Sequence, residues 1–395
     1  MDSPTDRPPN DTAETDSPLP LDPVQSQLSD TDDLEVLELD ATVPDPDENQ
    51  RDNTLTVGEY RLPNLGRAVL WSLLLLGPQL IVGVVVGVII AVFVLPTGRL
   101  NHLDPKSQMA ELQVMINHYV LPIATLVTLL TSLGIVVVAF RKQMARCMGL
   151  RGLTATQAGL VLLSALPLSL LTSELTNCAA HLFPNLSLDL FGEFSRESWV
   201  LVFLAACFFP GFGEELFFRG FLSRGLIAHH GVLKGTLFAS FLFGAIHLHP
   251  VQACGAFALG LALQFIFLAT RSLWGAVLLH TANNTLAFAA MKYGQHFPIP
   301  GFTAASAGAI EHTPLPLVVA AAATVAALLV ALHRTRTQWL LPNGSEWSRG
   351  FVSSEGPRPE VTVQKVSRAL DVRIAGVLLL TYAAFLAALW RYIDA

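Results

Sequence analysis

Residues Ser198 to Gly225 read SWVLVFLAACFFPGFGEELFFRGFLSRG, an apolar run that carries Glu214, Glu215 and Arg219 in its middle. At 1.5 Å per residue a helix of this length crosses a bilayer. A charge placed in hydrocarbon costs about 2.5–3.5 kcal/mol even on the lenient insertion scales, so three of them demand an explanation. Helical spacing supplies part of one. Glu215 and Arg219 stand at i, i+4 on one face and can pair. Glu214 is turned about 100° away and has no local partner, which marks it as the candidate functional carboxylate.

The rest of the chain places this run among others like it. Of the 395 residues 52% are hydrophobic and 14% charged, and the mean hydropathy is +0.50. This is the composition of an all-α, polytopic membrane bundle. Apolar runs near 68–96, 118–140, 155–176, 198–228, 232–249, 251–270, 272–291, 314–333 and 374–391 predict about eight to nine transmembrane helices. Pro210 is expected to kink the fourth of them just before the acid pair. The net charge of −7 misleads as an average, since roughly half of the acids precede residue 50. Residues 1–56, rich in Asp, Pro, Ser and Thr, predict a disordered acidic tail rather than a signal peptide. Within it DDLEVLELD (Asp32 to Asp40) is either a partner-binding element or simply part of a solvated tail. No basic patch suits nucleic acid. The cysteines Cys147, Cys178, Cys207 and Cys254 lack the spacing of a disulfide framework or a zinc-cysteine site, and packing is their expected role.

Orientation follows from Lys and Arg. Arg61 and Arg67 precede the first run, Arg141, Lys142, Arg146 and Arg151 follow the second, and Arg224, Lys234, Arg271, Arg334 and Arg336 fall in later alternate loops. The positive-inside rule therefore puts the N-terminus and these loops in the cytoplasm. The segment His181 to Phe194 on the opposite side reads as an interfacial helix or a structured loop. The organisation expected is an acidic tail (1–56), N-terminal spans (67–176), a central membrane domain (195–291), and C-terminal spans (314–395) around a polar loop at 334–373.

Two further runs carry groups that membranes normally exclude. FLFGAIHLHP places His247 and His249 near one helix end, and LLHTANNTLAF places His280, Asn283 and Asn284 inside an apolar helix. His280 and Asn284 share a face at i, i+4. Gly220, Gly244 and Gly275 permit close helix approach around them. Each residue has a plainer reading: a buried His is usually a satisfied core residue, a membrane Asn is often interhelical glue, Glu215–Arg219 is a self-neutralising structural pair, and His249 beside Pro250 is interfacial. Their joint occurrence on three consecutive spans is what points to an acid-base constellation.

EELFFR (Glu214 to Arg219), FGAIH (Phe243 to His247) and HTANN (His280 to Asn284) match EExxxR, FxxxH and HxxxN, in that order. Together they resemble the CPBP family of intramembrane proteases (CAAX protease and bacteriocin-processing, also ABI), whose eukaryotic member is the Rce1-type prenyl endopeptidase. The resemblance covers roughly residues 195–291. It implies an endopeptidase that hydrolyses a peptide bond of a membrane-associated protein or peptide with a glutamate-activated water. Glu214 would be the base, with His247, His280 and Asn284 as catalytic partners and Glu215 and Arg219 in support. His280 and Asn284 would donate to the oxyanion, and His247 would help hold the water or a metal. The family label of metalloprotease implies zinc, with His247 and His280 as its ligands, although the chain has no HExxH. The readings from other classes are a proton-coupled transporter that uses Glu214, His247 and His280 as a relay, and a membrane scaffold or immunity protein whose acidic tail docks a partner.

Overall fold

The computed structural model describes residues 62–98, 100–141, 144–183, 194–303, 310–347 and 362–393. The acidic tail and most of the expected interfacial segment (184–193) lie outside these residues. Eight long helices follow in order: α1 (Leu65–Ile89), α2 (Pro105–Phe140), α3 (Ala155–Leu182), α4 (Trp199–Ala245), α5 (Pro250–Thr270), α6 (Leu273–Tyr293), α7 (Leu315–Arg334) and α8 (Val372–Ile393). Local chemistry sets several of their starts. Asn64 caps α1 by accepting from the Arg67 N–H at 3.1 Å. Thr154 and Gln157 form a reciprocal capping box on α3. Pro250 opens α5 at a position where its missing N–H costs nothing.

Among the described residues seven helices are long and apolar enough to cross a membrane, and the chain is an integral multi-pass membrane protein. The count of seven, against an expected eight to nine, has two causes. The fourth and fifth runs are the two arms of one apolar stretch of 47 residues, α4, and meet at Gly231, where the boundary between them is expected. Drawn out as one straight helix it would be about 70 Å long, more than twice the thickness of the hydrocarbon core. Gly231 breaks it with φ 78°, a backbone region that only glycine enters without strain. The arms then turn back so tightly that a Cβ on Gly235 would lie 2.6 Å from the Ile227 Cα. The second cause is α6, which covers the expected 272–291 but is not among the seven. His280, Asn283 and Asn284 lower its hydropathy, and all three are engaged by neighbouring helices, as described below.

Burial decides the arrangement. In α5, 61% of the most apolar window is buried, against 11% in each of α1 and α8. The helix after the acid pair is therefore central, and the first and last face outward. Phe217, Phe218, Phe221 and Phe243 are at the centre of the core. Phe221 receives Trp71 edge-on at 5.5 Å.

The polar loop expected at 334–373 contains a short antiparallel pair, β1 (Thr337–Leu340) with β2 (Gln364–Ser367). Its polar residues find partners at the start of α3. Gln157 donates to the Thr335 carbonyl at 2.9 Å and to Thr337 Oγ1 at 3.2 Å, and the Arg151 guanidinium covers the Trp339 ring at 5.3 Å. Arg151 also donates through Nη2 to the Arg271 carbonyl at 2.6 Å, which ties the α5–α6 turn to the same end of the molecule. The Arg271 side chain is fully buried, with Glu346 3.6 Å from its Nη2. Burial pushes that guanidinium down to about 10, and the Glu346 carboxylate opposes the shift.

Candidate active site

The acid pair sits in a short α-helical stretch of α4, Phe209–Glu215, between two π-helical turns, Phe203–Phe208 and Leu216–Leu222. Such widened turns recur at functional sites. The first has a local cause. Pro210 has no N–H to offer the Ala206 carbonyl four residues back, and its ring would clash with that oxygen in a regular helix. The kink expected at Pro210 is taken up as a widened turn, and Asn284 Nδ2 reaches across from α6 to donate to Ala206 O at 3.0 Å.

Close approach then fixes how the helices align. A Cβ on Gly211 would meet Thr281 Oγ1 at 2.4 Å, and one on Gly213 would meet the Leu129 Cα at 2.8 Å. Bare backbone at these two positions lets the acid-bearing turn lie between α2 and α6. Gly211 against Thr281 also brings Glu215, one turn on, level with His280.

Glu215 has 0% exposure. Its Oε1 accepts from Arg219 Nη1 at 2.7 Å and from His280 Nδ1 at 2.8 Å. Arg219 donates in turn to the Gly260 carbonyl of α5 at 2.9 Å and lies 4.6 Å over the Phe243 ring. The same ring meets His247 at 5.5 Å and His280 at 5.7 Å, both edge-on. Phe243 is thus the hub joining the second and third motifs. His247 is half-buried, and its Nδ1 lies 2.9 Å from the Phe243 carbonyl. A carbonyl only accepts, so that nitrogen carries the proton. The ring atom left for a ligand is Nε2 on His247, and also on His280, which is 3% exposed.

The pairing expected of Glu215 with Arg219 is present. His280, expected to serve Glu214, instead bonds Glu215, because the helix face that carries Arg219 is the one α6 packs against. Glu214 is half-buried. Its Oε2 is shut away from solvent with no hydrogen-bond partner, and its charge lies within electrostatic reach of Arg219. His249 does not join the group: it caps α5, its Nδ1 accepting from the Gln252 N–H at 3.4 Å.

Several contributors have little signal in the sequence. Ser169 of α3 donates to Asn283 Oδ1 at 2.8 Å, and Asn283 Nδ2 stands 3.5 Å from Asn284 Oδ1, so Asn283 positions its neighbour. Gln264, one turn beyond Gly260, is also buried, but both its amide atoms are unpartnered and it is not bonded to the group. A single amide in the run ALGLALQFIFLAT was the only clue to it.

The donor types suit zinc, and each imidazole is oriented through Nδ1 as metal-bound histidines are. The spacing does not close. Among the described residues only Glu174, Cys178 and His312 bring three such ligand atoms within 4.8 Å of one another, and Glu214, His247 and His280 form no such set.

Residues 196–286 match the family model described as type II CAAX prenyl endopeptidase Rce1-like. This stretch is an Rce1-like domain. The Rce1-like domain takes in about a quarter of the chain, including the acid pair, Arg219, His247, His280 and Asn284. α1 to α3, α7 and α8 lie outside it. No curated protein and no solved structure matches the chain.

Proposed function

We propose that the Rce1-like domain is an intramembrane endopeptidase in which Glu214 activates water against a peptide bond of a membrane-associated substrate. The observation that carries this reading is the division between the two acids. Glu215 is held through Oε1 by Arg219 and His280 and ties the helices together, while half-buried Glu214 has no hydrogen bond to any described residue, each acid keeping a shielded Oε2 without a partner. A water against the accessible side of the Glu214 carboxylate loses one proton to it as its oxygen attacks the carbonyl carbon. His247 accepts the second water hydrogen through Nε2, which aims the attacking lone pair. His280, acting as an imidazolium whose Nδ1–H is held by the Glu215 carboxylate, donates Nε2–H, and Asn284 its second amide hydrogen, to the oxyanion. When the C–N bond breaks, the Glu214 proton passes to the departing amine.

The family description directs the choice of substrate toward prenylated peptides ending in a CAAX sequence. The test is hydrolysis of a farnesylated CAAX-type peptide by the full chain in liposomes, with its unprenylated counterpart alongside. Glu214→Gln should cut cleavage by about 10²–10⁴-fold while leaving the protein inserted and its unfolding temperature unchanged. Full activity in that variant would sink the mechanism, and cleavage of neither peptide by the wild type would sink the substrate class.

A further inference from the structure

At the end of α3 away from Thr154, three side chains with no part in the Glu215 network converge. Glu174 Oε1 lies 2.7 Å from His312 Nδ1, and Cys178 Sγ lies 3.6 Å from that same oxygen. Glu174 and Cys178 are one helical turn apart on α3, whereas His312 arrives from the connection into α7, 138 positions from Glu174. Carboxylate, thiol and imidazole are the three donor types of protein zinc sites. Their ligand atoms all lie within 4.8 Å of one another.

We propose that Glu174, Cys178 and His312 form a zinc site that clips the α6–α7 connection to the end of α3, separate from the proposed hydrolytic centre. The surroundings are built to hold these donors. The Thr313 N–H donates to Glu174 Oε2 at 2.7 Å, which orients the carboxylate as outer partners of metal ligands do. Ser173 and Asn177 both donate to the Gly301 carbonyl, at 2.8 and 2.7 Å, and so anchor the same connection to the helix. His181 meets the His312 ring edge-on at 5.2 Å and steadies it. Donors around a tetrahedral zinc, with bonds of about 2.0–2.3 Å, stand about 3.3–3.8 Å apart. Closure from the present spread needs about 1 Å of movement at most, and Cys178 and His312 are exposed and free to make it. The thiolate and imidazole favour zinc over calcium or magnesium. On binding, the Cys178 proton goes to solvent and the hydrogen at His312 Nδ1 gives way to the ion, the ring remaining a neutral ligand with its hydrogen on Nε2. Water takes the fourth position.

The test uses the full chain in detergent, stripped of metal and titrated with cobalt(II) as a spectroscopic stand-in for zinc. One ion per chain should bind with a thiolate-to-cobalt charge-transfer band, which zinc then bleaches. Cys178→Ser and His312→Ala should lose the band, while Cys254→Ser, which removes the other exposed thiol, and Glu214→Gln should keep it. Zinc should raise the unfolding temperature of the wild type and leave that of Cys178→Ser unmoved. Size-exclusion profiles matching the wild type would show that the variants fold. The absence of a saturable band in the wild type, or its survival in Cys178→Ser, would overturn the proposal. Loss of the band in Glu214→Gln would place the metal at the other site instead.

Discussion

His280 Nδ1 and Glu215 Oε1 stand 2.8 Å apart in a part of the bundle closed to solvent. The same oxygen receives Arg219, so a single carboxylate fastens α6 to α4 and balances a guanidinium that has no other acid bonded to it. A buried ion pair of this kind is weak as a source of net stability, but removing one partner leaves an uncompensated charge. The two adjacent acids should therefore fail in different ways when mutated.

Glu215→Ala is expected to destabilise the protein by about 3–5 kcal/mol, since Arg219 would be left buried without its carboxylate. Glu214→Gln should instead reduce turnover by about 10²–10⁴-fold with little effect on folding. Thermal unfolding in detergent, measured beside peptide hydrolysis, separates the two. Equal loss of stability in both variants would contradict the division of roles.

Oxyanion donation by Asn284 predicts a kcat effect. Asn284→Leu should lower kcat by about 10²–10³-fold with KM nearly unchanged. Steady-state kinetics on the farnesylated peptide would show it, and a change confined to KM would assign Asn284 to substrate binding.

The two glycines at positions 213 and 220 should respond unequally to a methyl group. At Gly213 a Cβ would meet the Leu129 Cα at 2.8 Å, and main chain cannot step aside cheaply. At Gly220 the atom in the way is the Met148 methyl at 1.8 Å, the free end of a flexible side chain. Gly213→Ala is expected to cost about 1–3 kcal/mol and Gly220→Ala distinctly less, as read from unfolding midpoints.

Because Glu214, His247 and His280 do not form a three-donor set, hydrolysis should survive exhaustive chelation. The measurement is peptide cleavage after treatment with a strong zinc chelator. Loss of activity that zinc restores, in a Cys178→Ser background where the proposed clip is absent, would show that the hydrolytic centre takes a metal.

Much of this site follows from helical spacing alone. Glu215 pairs with Arg219 because i, i+4 places them on one face, and Pro210 disturbs the helix where its chemistry says it must. Spacing within one helix says nothing about the register between two. Whether His280 meets Glu214 or Glu215 depends on the Gly211–Thr281 contact, which exists only once α4 and α6 are packed. Ser169 with Asn283 and Glu174 with His312 are likewise tertiary pairs, separated by 114 and 138 positions. The short strands in the loop at 334–373 were hidden for a similar reason, as their partners are on α3 and on each other.

The bond from Asn284 to the Ala206 carbonyl means that positions 210 and 284 are not independent. Proline removes the ordinary donor of that carbonyl, four residues on, and the asparagine supplies one from another helix. A chain carrying alanine at position 210 would regain the backbone donor, and the carbonyl would no longer ask anything of residue 284. In that background, replacing Asn284 should cost folding much less, and whatever deficit remained would belong to the reaction. A double-mutant cycle across the pair would thus divide one residue's importance into an architectural share and a chemical one.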